Sequence, residues 1–261
     1  MKRFPIAGWA VIVPLAVFCF VYPFALLLLS FDWMPFGMEW MSSLLLAMLG
    51  LTAGGWLGFN YGRAGAVAGV LIFACGVALE YAGVATGVPF GRYRYTGVLV
   101  PGLPGGVPLA MGFAWLFIVV SGLFAARRFF GRVLGGPALA LAGAALAVGL
   151  DLLLEPVAYR VKGYWQWLDP GPGGGYYGVP WGNFAAWFAA ALIMNGLVIA
   201  FMGGEPARWT WVPMALYMMN VVLFATVDLV HGLWVPAVVG ALLLGALCAG
   251  PLLFGNRRES S

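Results

Sequence analysis

PALALAGAALAVGLDLLLEP, residues 137–156, is the stretch whose reading decides the fold. Up to Leu150 it carries no charge, and ~20 apolar residues suffice to cross a hydrocarbon core of ~30 Å. It ends on Asp151 and Glu155, one helical turn apart and therefore on one helix face. Runs of the same kind recur over residues 5–30, 40–60, 64–86, 108–126, 183–202, 211–230 and 233–254. Hydrophobic residues make up 63% of the chain, charged residues only 8%, and the mean hydropathy is +0.97. That composition excludes an ordinary soluble domain. Ten-residue alternation is missing, which excludes a membrane β-barrel. The expectation is an all-α polytopic membrane bundle of about eight transmembrane helices, a single transmembrane domain over residues 1–261.

Lys2 and Arg3 precede the first apolar run, which is too long for a signal peptide and is followed by no small-x-small cleavage site. It reads as a retained first helix. Eight spans put both termini on one side. That side collects nine of the 13 basic residues (Lys2, Arg3, Arg63, Arg127, Arg128, Arg132, Arg208, Arg257 and Arg258), whereas Arg92, Arg94, Arg160 and Lys162 fall on the other. The excess of cytoplasmic Lys and Arg in membrane proteins then places both termini in the cytoplasm. The net charge of +4 follows from the same bias and is no nucleic-acid footprint.

The four opposing basic residues all lie in two loops that repeat one phrase. In the first copy Glu80 is followed by GVPFGRYRYTG (residues 87–97), then GVP at 106–108 and Trp115. In the second, Asp151 and Glu155 are followed by YRVKGYWQW (residues 159–167), then GVP at 178–180 and Trp187. Both copies, spanning 80–115 and 151–187, read carboxylate, basic aromatic loop, GVP-x6-W. Carboxylates inside a membrane cost ~2.5–3.5 kcal/mol each on insertion scales and normally face a bundle interior or a wet cavity. Asp228 and His231 stand three apart at the end of the seventh span. Together these residues predict a polar cavity at the outer end of the third, fifth and seventh spans, roofed by the two loops.

Each residue also has a plainer reading. Asp151 and Glu155 reach the interface if they merely end a helix. Glu80 pairs with Arg92 or Arg94 if it is structural, and Asp228 with His231 shapes a turn. Tyr93, Tyr95, Tyr164, Trp165, Trp167, Tyr176, Tyr177 and Trp181 form an interfacial aromatic belt on the same view. Their density in two loops, interleaved with Arg, Lys and Gln166, favours a binding role. Asn183 reads as a helix cap, and Asn195 and Asn220 as makers of interhelical hydrogen bonds. One histidine, and Cys19, Cys75 and Cys248 scattered through apolar runs, give no metal-ligand spacing. No metal and no organic cofactor is expected.

The block from Glu80 to Tyr95 with its GVP and Trp115, and the block D-LLLEP…WQW…YYGVPWGNF from Asp151 to Phe184, resemble the CruF-type carotenoid hydratases. The resemblance implies an integral membrane enzyme of bacterial or archaeal carotenoid biosynthesis. Such enzymes add water across the terminal 1,2 double bond of an acyclic ψ end group, leaving a tertiary alcohol. Its partners are then a lipid-dissolved acyclic carotenoid, water and membrane lipid; the oligomeric state stays open.

That chemistry needs a neutral acid to protonate the alkene, aromatic faces to stabilise the tertiary cation, worth ~2 kcal/mol when desolvated, and a polar group to orient water. A carboxyl group buried at membrane depth serves as the acid. Asp151, the deepest, is the first choice; Glu155, Glu80 or the Asp228–His231 pair positions the water. Arg92, Tyr93, Tyr95, Trp165, Trp167, Tyr176, Tyr177, Trp181 and Asn183 are the candidate substrate contacts. A carotenoid cyclase begins with the same protonation. An intramembrane prenyltransferase, with Asp151 and Glu155 on magnesium diphosphate, and a proton-coupled transporter are the readings from other classes.

Overall fold

A computed structural model describes residues 8–130, 134–169, 171–202 and 205–254. It contains seven helices: α1 (Trp9–Ser30), α2 (Trp40–Thr86), α3 (Ala110–Phe130), α4 (Gly136–Pro156), α5 (Trp181–Phe201), α6 (Val212–Val230) and α7 (Trp234–Phe254). Six of them are long and apolar enough to cross a membrane. The architecture is an all-α polytopic membrane bundle.

The seven helices cover all eight predicted stretches because α2 covers two of them. At 47 residues it is interrupted by Gly62, whose φ of 59° and ψ of −135° are not helical. A side chain built on Gly69 would come within 3.7 Å of the Gly54 Cα, and one on Gly58 within 3.9 Å of the Ala66 Cβ. In a straight helix residues 54 and 69 stand about 22 Å apart at 1.5 Å per residue. Residues 40–61 and 63–86 are therefore two antiparallel arms. A left-handed φ followed by an extended ψ is glycine territory, so Gly62 is where the chain reverses.

With α2 counted as two arms, the connections after α1, α2, α4 and α6 all meet at one end. Contacts confirm this: Lys162 pairs with Asp32, Ser42 meets Tyr164, and the Val235 N–H reaches the Tyr177 hydroxyl at 3.4 Å. At the opposite end the Trp56 indole donates to the Trp209 carbonyl at 2.9 Å and Arg127 faces Glu205 at 3.7 Å. The helix α3 lies at the centre, with every residue from Ala110 to Ala126 except Phe113 buried.

The two long connections meet as a two-stranded antiparallel ribbon of β1 (Tyr93–Tyr95) and β2 (Trp165–Trp167), in the register Tyr93 to Trp167, Arg94 to Gln166 and Tyr95 to Trp165. Side chains alternate faces along a strand. Arg94 and Gln166 consequently point outward, joined at 2.8 and 3.0 Å, and the four aromatic rings point into the bundle. The link from α4 to β2 is a π-helical turn, Val157–Val161, in which the Lys162 N–H bonds the Val157 carbonyl at 2.9 Å. Pro156 has no N–H to continue the regular pattern, and the wider turn carries the chain off the helix axis beside the site.

Candidate functional site

Glu80, near the end of α2, is 4% exposed and has no cationic partner among the described residues. Its Oε2 accepts from the Tyr93 and Tyr95 hydroxyls, both at 2.6 Å, and its Oε1 from the Trp115 indole at 2.9 Å. Glu155, near the end of α4, is 3% exposed. Its Oε2 accepts from the Trp165 and Trp167 indoles, both at 3.1 Å, and its Oε1 from the Asn183 amide at 3.3 Å. Each carboxylate is thus held by the inward aromatic pair of its own repeat's strand. The ribbon brings the two pairs side by side, with Tyr93 and Trp167 at 5.1 Å and Tyr95 and Trp165 at 6.0 Å between ring centres.

The two tryptophans of the GVP-x6-W phrases stack on each other, 3.8 Å between centroids and 8° from parallel. They mark the contact between the repeats. Burial, and then the neighbouring Glu80, hold the Tyr93 and Tyr95 phenols far above the ordinary value of 10.0, so both remain hydroxyl donors to that carboxylate.

Asp151 is fully buried one turn before Glu155. The same Asn183 amide that meets Glu155 donates to its Oδ2 at 3.1 Å, and its Oδ1 has no hydrogen-bond partner among the described residues. Asn183 is not the cap of α5, as its position in sequence implies; Pro180 takes that place without a side-chain hydrogen bond. The tertiary partners Asp151 and Glu155 claim the amide instead.

A cavity of about 80 Å³, counted as space open to the centre of a water molecule, adjoins these groups. One water needs roughly 10–15 Å³ on that measure, so there is room for several waters or for a slim end group. Glu80, Glu155, Tyr93, Tyr95, Trp165, Trp167 and Asn183 line it, joined by Phe90 and Trp187. Leu29, Leu45, Leu46, Leu49, Leu223 and Phe224 make the rest of the wall mainly apolar. Asp151 stands behind Asn183 and is not among the lining residues.

The remaining candidates lie elsewhere. Arg92 is exposed, and Arg160 sits over the Tyr177 ring at 5.7 Å. Trp181 is 60% exposed and packs on Tyr176. None of the four basic loop residues lines the cavity; Arg94 ties the two loops together through Gln166, and Lys162 ties the second loop to Asp32 in the α1–α2 connection. Glu80 accordingly has neither arginine as its partner. His231 faces Asp32 at 3.7 Å, whereas Asp228 is buried with both carboxylate oxygens unpartnered among the described residues. Burial, then Asp228, pushes the Tyr176 phenol up. Asn195 makes the expected interhelical bond, to the Ala140 carbonyl at 3.1 Å, but Asn220 bonds within its own helix. Sequence reasoning missed the Trp115 indole as a carboxylate donor and Asn183 as a bridge. The signals were present: GVP-x6-W occurs twice, and Asn183 falls inside the second phrase.

The chain matches the carotenoid biosynthesis protein family over residues 38–247. Bisanhydrobacterioruberin hydratase of Haloarcula japonica is 29% identical to it over 192 residues, 69% of this chain. The chain spans about 61% of the length of that curated relative. No solved structure matches. The family match takes in both repeats, the three buried carboxyl groups around the cavity and every donor that holds them: the chain belongs to the carotenoid biosynthesis protein family.

Proposed function

We propose that the protein is a carotenoid hydratase, adding water across the terminal 1,2 (or 1′,2′) double bond of an acyclic ψ end group. The observation that carries this reading is the set of carboxyl groups Glu80, Asp151 and Glu155, buried without a cation among the described residues and held by phenol, indole and amide donors around an aromatic cavity. Such groups exchange protons with a substrate that brings no charge of its own. The relative's name, a hydratase, supports the same chemistry.

Asp151 and Glu155 share one amide and stand one turn apart. Two anions so placed repel in a low-dielectric interior, and a single proton between them removes the repulsion. We assign that proton to the pair as the acid. Glu155 is the member on the cavity wall, so it delivers the proton to the less substituted alkene carbon, and Asp151 behind it replenishes Glu155. The sequence-based choice, Asp151, becomes the reserve. Tyr93, Tyr95, Trp165, Trp167 and Trp187 present aromatic faces to the tertiary cation, and Glu80, across the cavity, takes the proton released by the attacking water. No metal or organic cofactor enters this scheme.

A forty-carbon polyene is about as long as the ~30 Å hydrocarbon core, so its end group reaches the cavity from lipid. We place that cavity at the outer side of a bacterial or archaeal cytoplasmic membrane, with both termini inside, on the distribution of basic residues. Expression in a lycopene-producing bacterium, with mass spectrometry of the pigments, is the test. A gain of one water mass is expected. Unchanged mass with altered retention and one double bond fewer would indicate a cyclase, and unchanged pigment would defeat both.

A further inference from the structure

Two polar side chains on the cavity wall lie outside the carboxylate network. Ser42, in the first turn of α2, and Tyr164, just ahead of β2, meet hydroxyl to hydroxyl at 2.7 Å, and both line the cavity. Their backbones are anchored. The Tyr164 N–H bonds the Ala158 carbonyl at 2.8 Å, its carbonyl accepts from the Thr96 N–H at 3.1 Å, and the Ser42 N–H bonds the Glu39 carbonyl at 3.1 Å.

Neither hydroxyl makes a further hydrogen bond among the described residues. Two hydroxyls carry two O–H groups, and their mutual contact uses one. One O–H and several lone pairs are left for a third partner, in a cavity whose lining Leu29, Leu45 and Leu46 help to make apolar. Two residues before Tyr164, Lys162 pairs with the exposed Asp32. The hydroxyl pair thus sits where the aqueous end of the bundle meets the cavity. Burial pushes the Tyr164 phenol up to about 12, which keeps it a hydroxyl at any ordinary pH.

We infer that Ser42 and Tyr164 form the water site of the reaction, holding the oxygen that attacks the cation and then the tertiary alcohol it becomes. This rests on the hydratase reading above. The acid's proton goes to the less substituted alkene carbon. A lone pair of the held water then bonds to the tertiary cationic carbon, and the resulting oxonium gives its extra proton to the Glu80 carboxylate. One water is added and nothing is oxidised or reduced. A cation that meets no water has another fate: it gives a proton from an adjacent methyl group to the Glu80 carboxylate and becomes an isomeric alkene of unchanged mass.

The partition between these fates reports on the water site and is insensitive to a general loss of packing. Tyr164→Phe and Ser42→Ala, expressed separately in the lycopene-producing host, should each lower the ratio of hydrated to isomerised pigment about tenfold, the worth of one net hydrogen bond. The double variant should fall little further, because either change breaks the same site. Both variants are read per molecule of membrane-inserted protein, and each stands alone if the other does not accumulate. Wild-type hydration with an unchanged ratio in the variants, whatever their turnover, would overturn the water site while leaving the hydratase reading intact. A wild type that adds no water would remove the reading and the inference together.

Discussion

The two repeats share a plan and differ at one turn of helix. In the second copy, Asp151 precedes Glu155 by four residues. The position four residues before Glu80 is Gly76, and a side chain built there would come within 2.6 Å of the Cβ and Cγ of Trp115. Asn183, three residues after the second GVP, corresponds to Met111 in the first. The first copy therefore packs its tryptophan where the second keeps a carboxyl group, and has a thioether where the second has an amide. The outcome is a single carboxylate with three donors facing a pair of carboxyl groups that share one donor. On the proposed reading, this inequality between the two copies supplies an acid on one side of an alkene and a base on the other.

The largest expected effect follows from the second copy. Glu155→Gln removes the proton at the cavity wall and should lower hydration by at least ~10²-fold, the lower end for a general acid. Asp151→Asn should cost a comparable factor and add little in the double variant, since groups that act as one unit are not additive. The check is product per membrane-inserted protein in the lycopene host. A dead Asp151→Asn beside a near-normal Glu155→Gln would restore Asp151 as the direct donor. Near-normal hydration by both, beside a dead Glu80→Gln, would move the acid to the first copy.

Glu80→Gln is next. An amide still accepts from Tyr93, Tyr95 or Trp115 but takes up no proton from the attacking water. Loss of the base should cost roughly 10–10²-fold, less than loss of the acid, because bulk water from the loop end of the bundle can take the proton more slowly. If this variant hydrates at the wild-type rate, Glu80 only anchors the ribbon, and the proposed division between the copies fails on its first half.

Much of this contrast was legible in the chain. Apolar length and composition gave the spans, and the doubled GVP-x6-W phrase with its acids pointed to the end of the bundle where the cavity and the candidate site lie. Partners were not legible where they depend on long-range geometry. Asn183 satisfied a local helix-start rule, yet Asp151, 32 residues away, and Glu155, 28 away, capture its amide. YRY and WQW each alternate aromatic with polar, a period-two signal too short to stand out inside loops, and only their pairing shows which side chains face in. Ser42 is an unremarked serine at a helix start until Tyr164, 122 residues on, comes to rest against it.

A smaller effect sharpens the packing side of the comparison. Gly76→Ala forces its methyl against the Trp115 ring, which cannot move without disturbing both its stack on Trp187 and its hydrogen bond to Glu80. Overpacking of this kind costs typically ~1–3 kcal/mol. The melting temperature of the purified protein should fall, while Ser→Ala at an unrelated buried position, Ser121, should leave it nearly unchanged. An unaltered melting temperature for Gly76→Ala would mean that the first copy tolerates a side chain there, and that its missing carboxyl group has no packing cause.

The smallest effect belongs to the outward face of the ribbon. Arg94 and Gln166 are exposed, and their hydrogen bonds compete with water, so Arg94→Ala should cost at most about 1 kcal/mol in stability. The inward pairs Tyr93–Trp167 and Tyr95–Trp165 hold both wall carboxylates, and because side chains alternate along a strand, losing an outward residue leaves the inward register in place. Hydration by Arg94→Ala should therefore stay within about twofold of wild type, since an exposed neutral–charged contact contributes little to positioning. Tyr95→Phe, one residue on, removes a donor from Glu80 and should lower turnover more than Arg94→Ala does, by roughly the tenfold worth of a buried hydrogen bond. The two variants, assayed side by side, ask whether the chemistry lives on one face of the ribbon. A tenfold loss in Arg94→Ala with an active Tyr95→Phe would put it on the outer face, where the basic residues of the loops gather, and would undo the assignment of the carboxylates to the reaction.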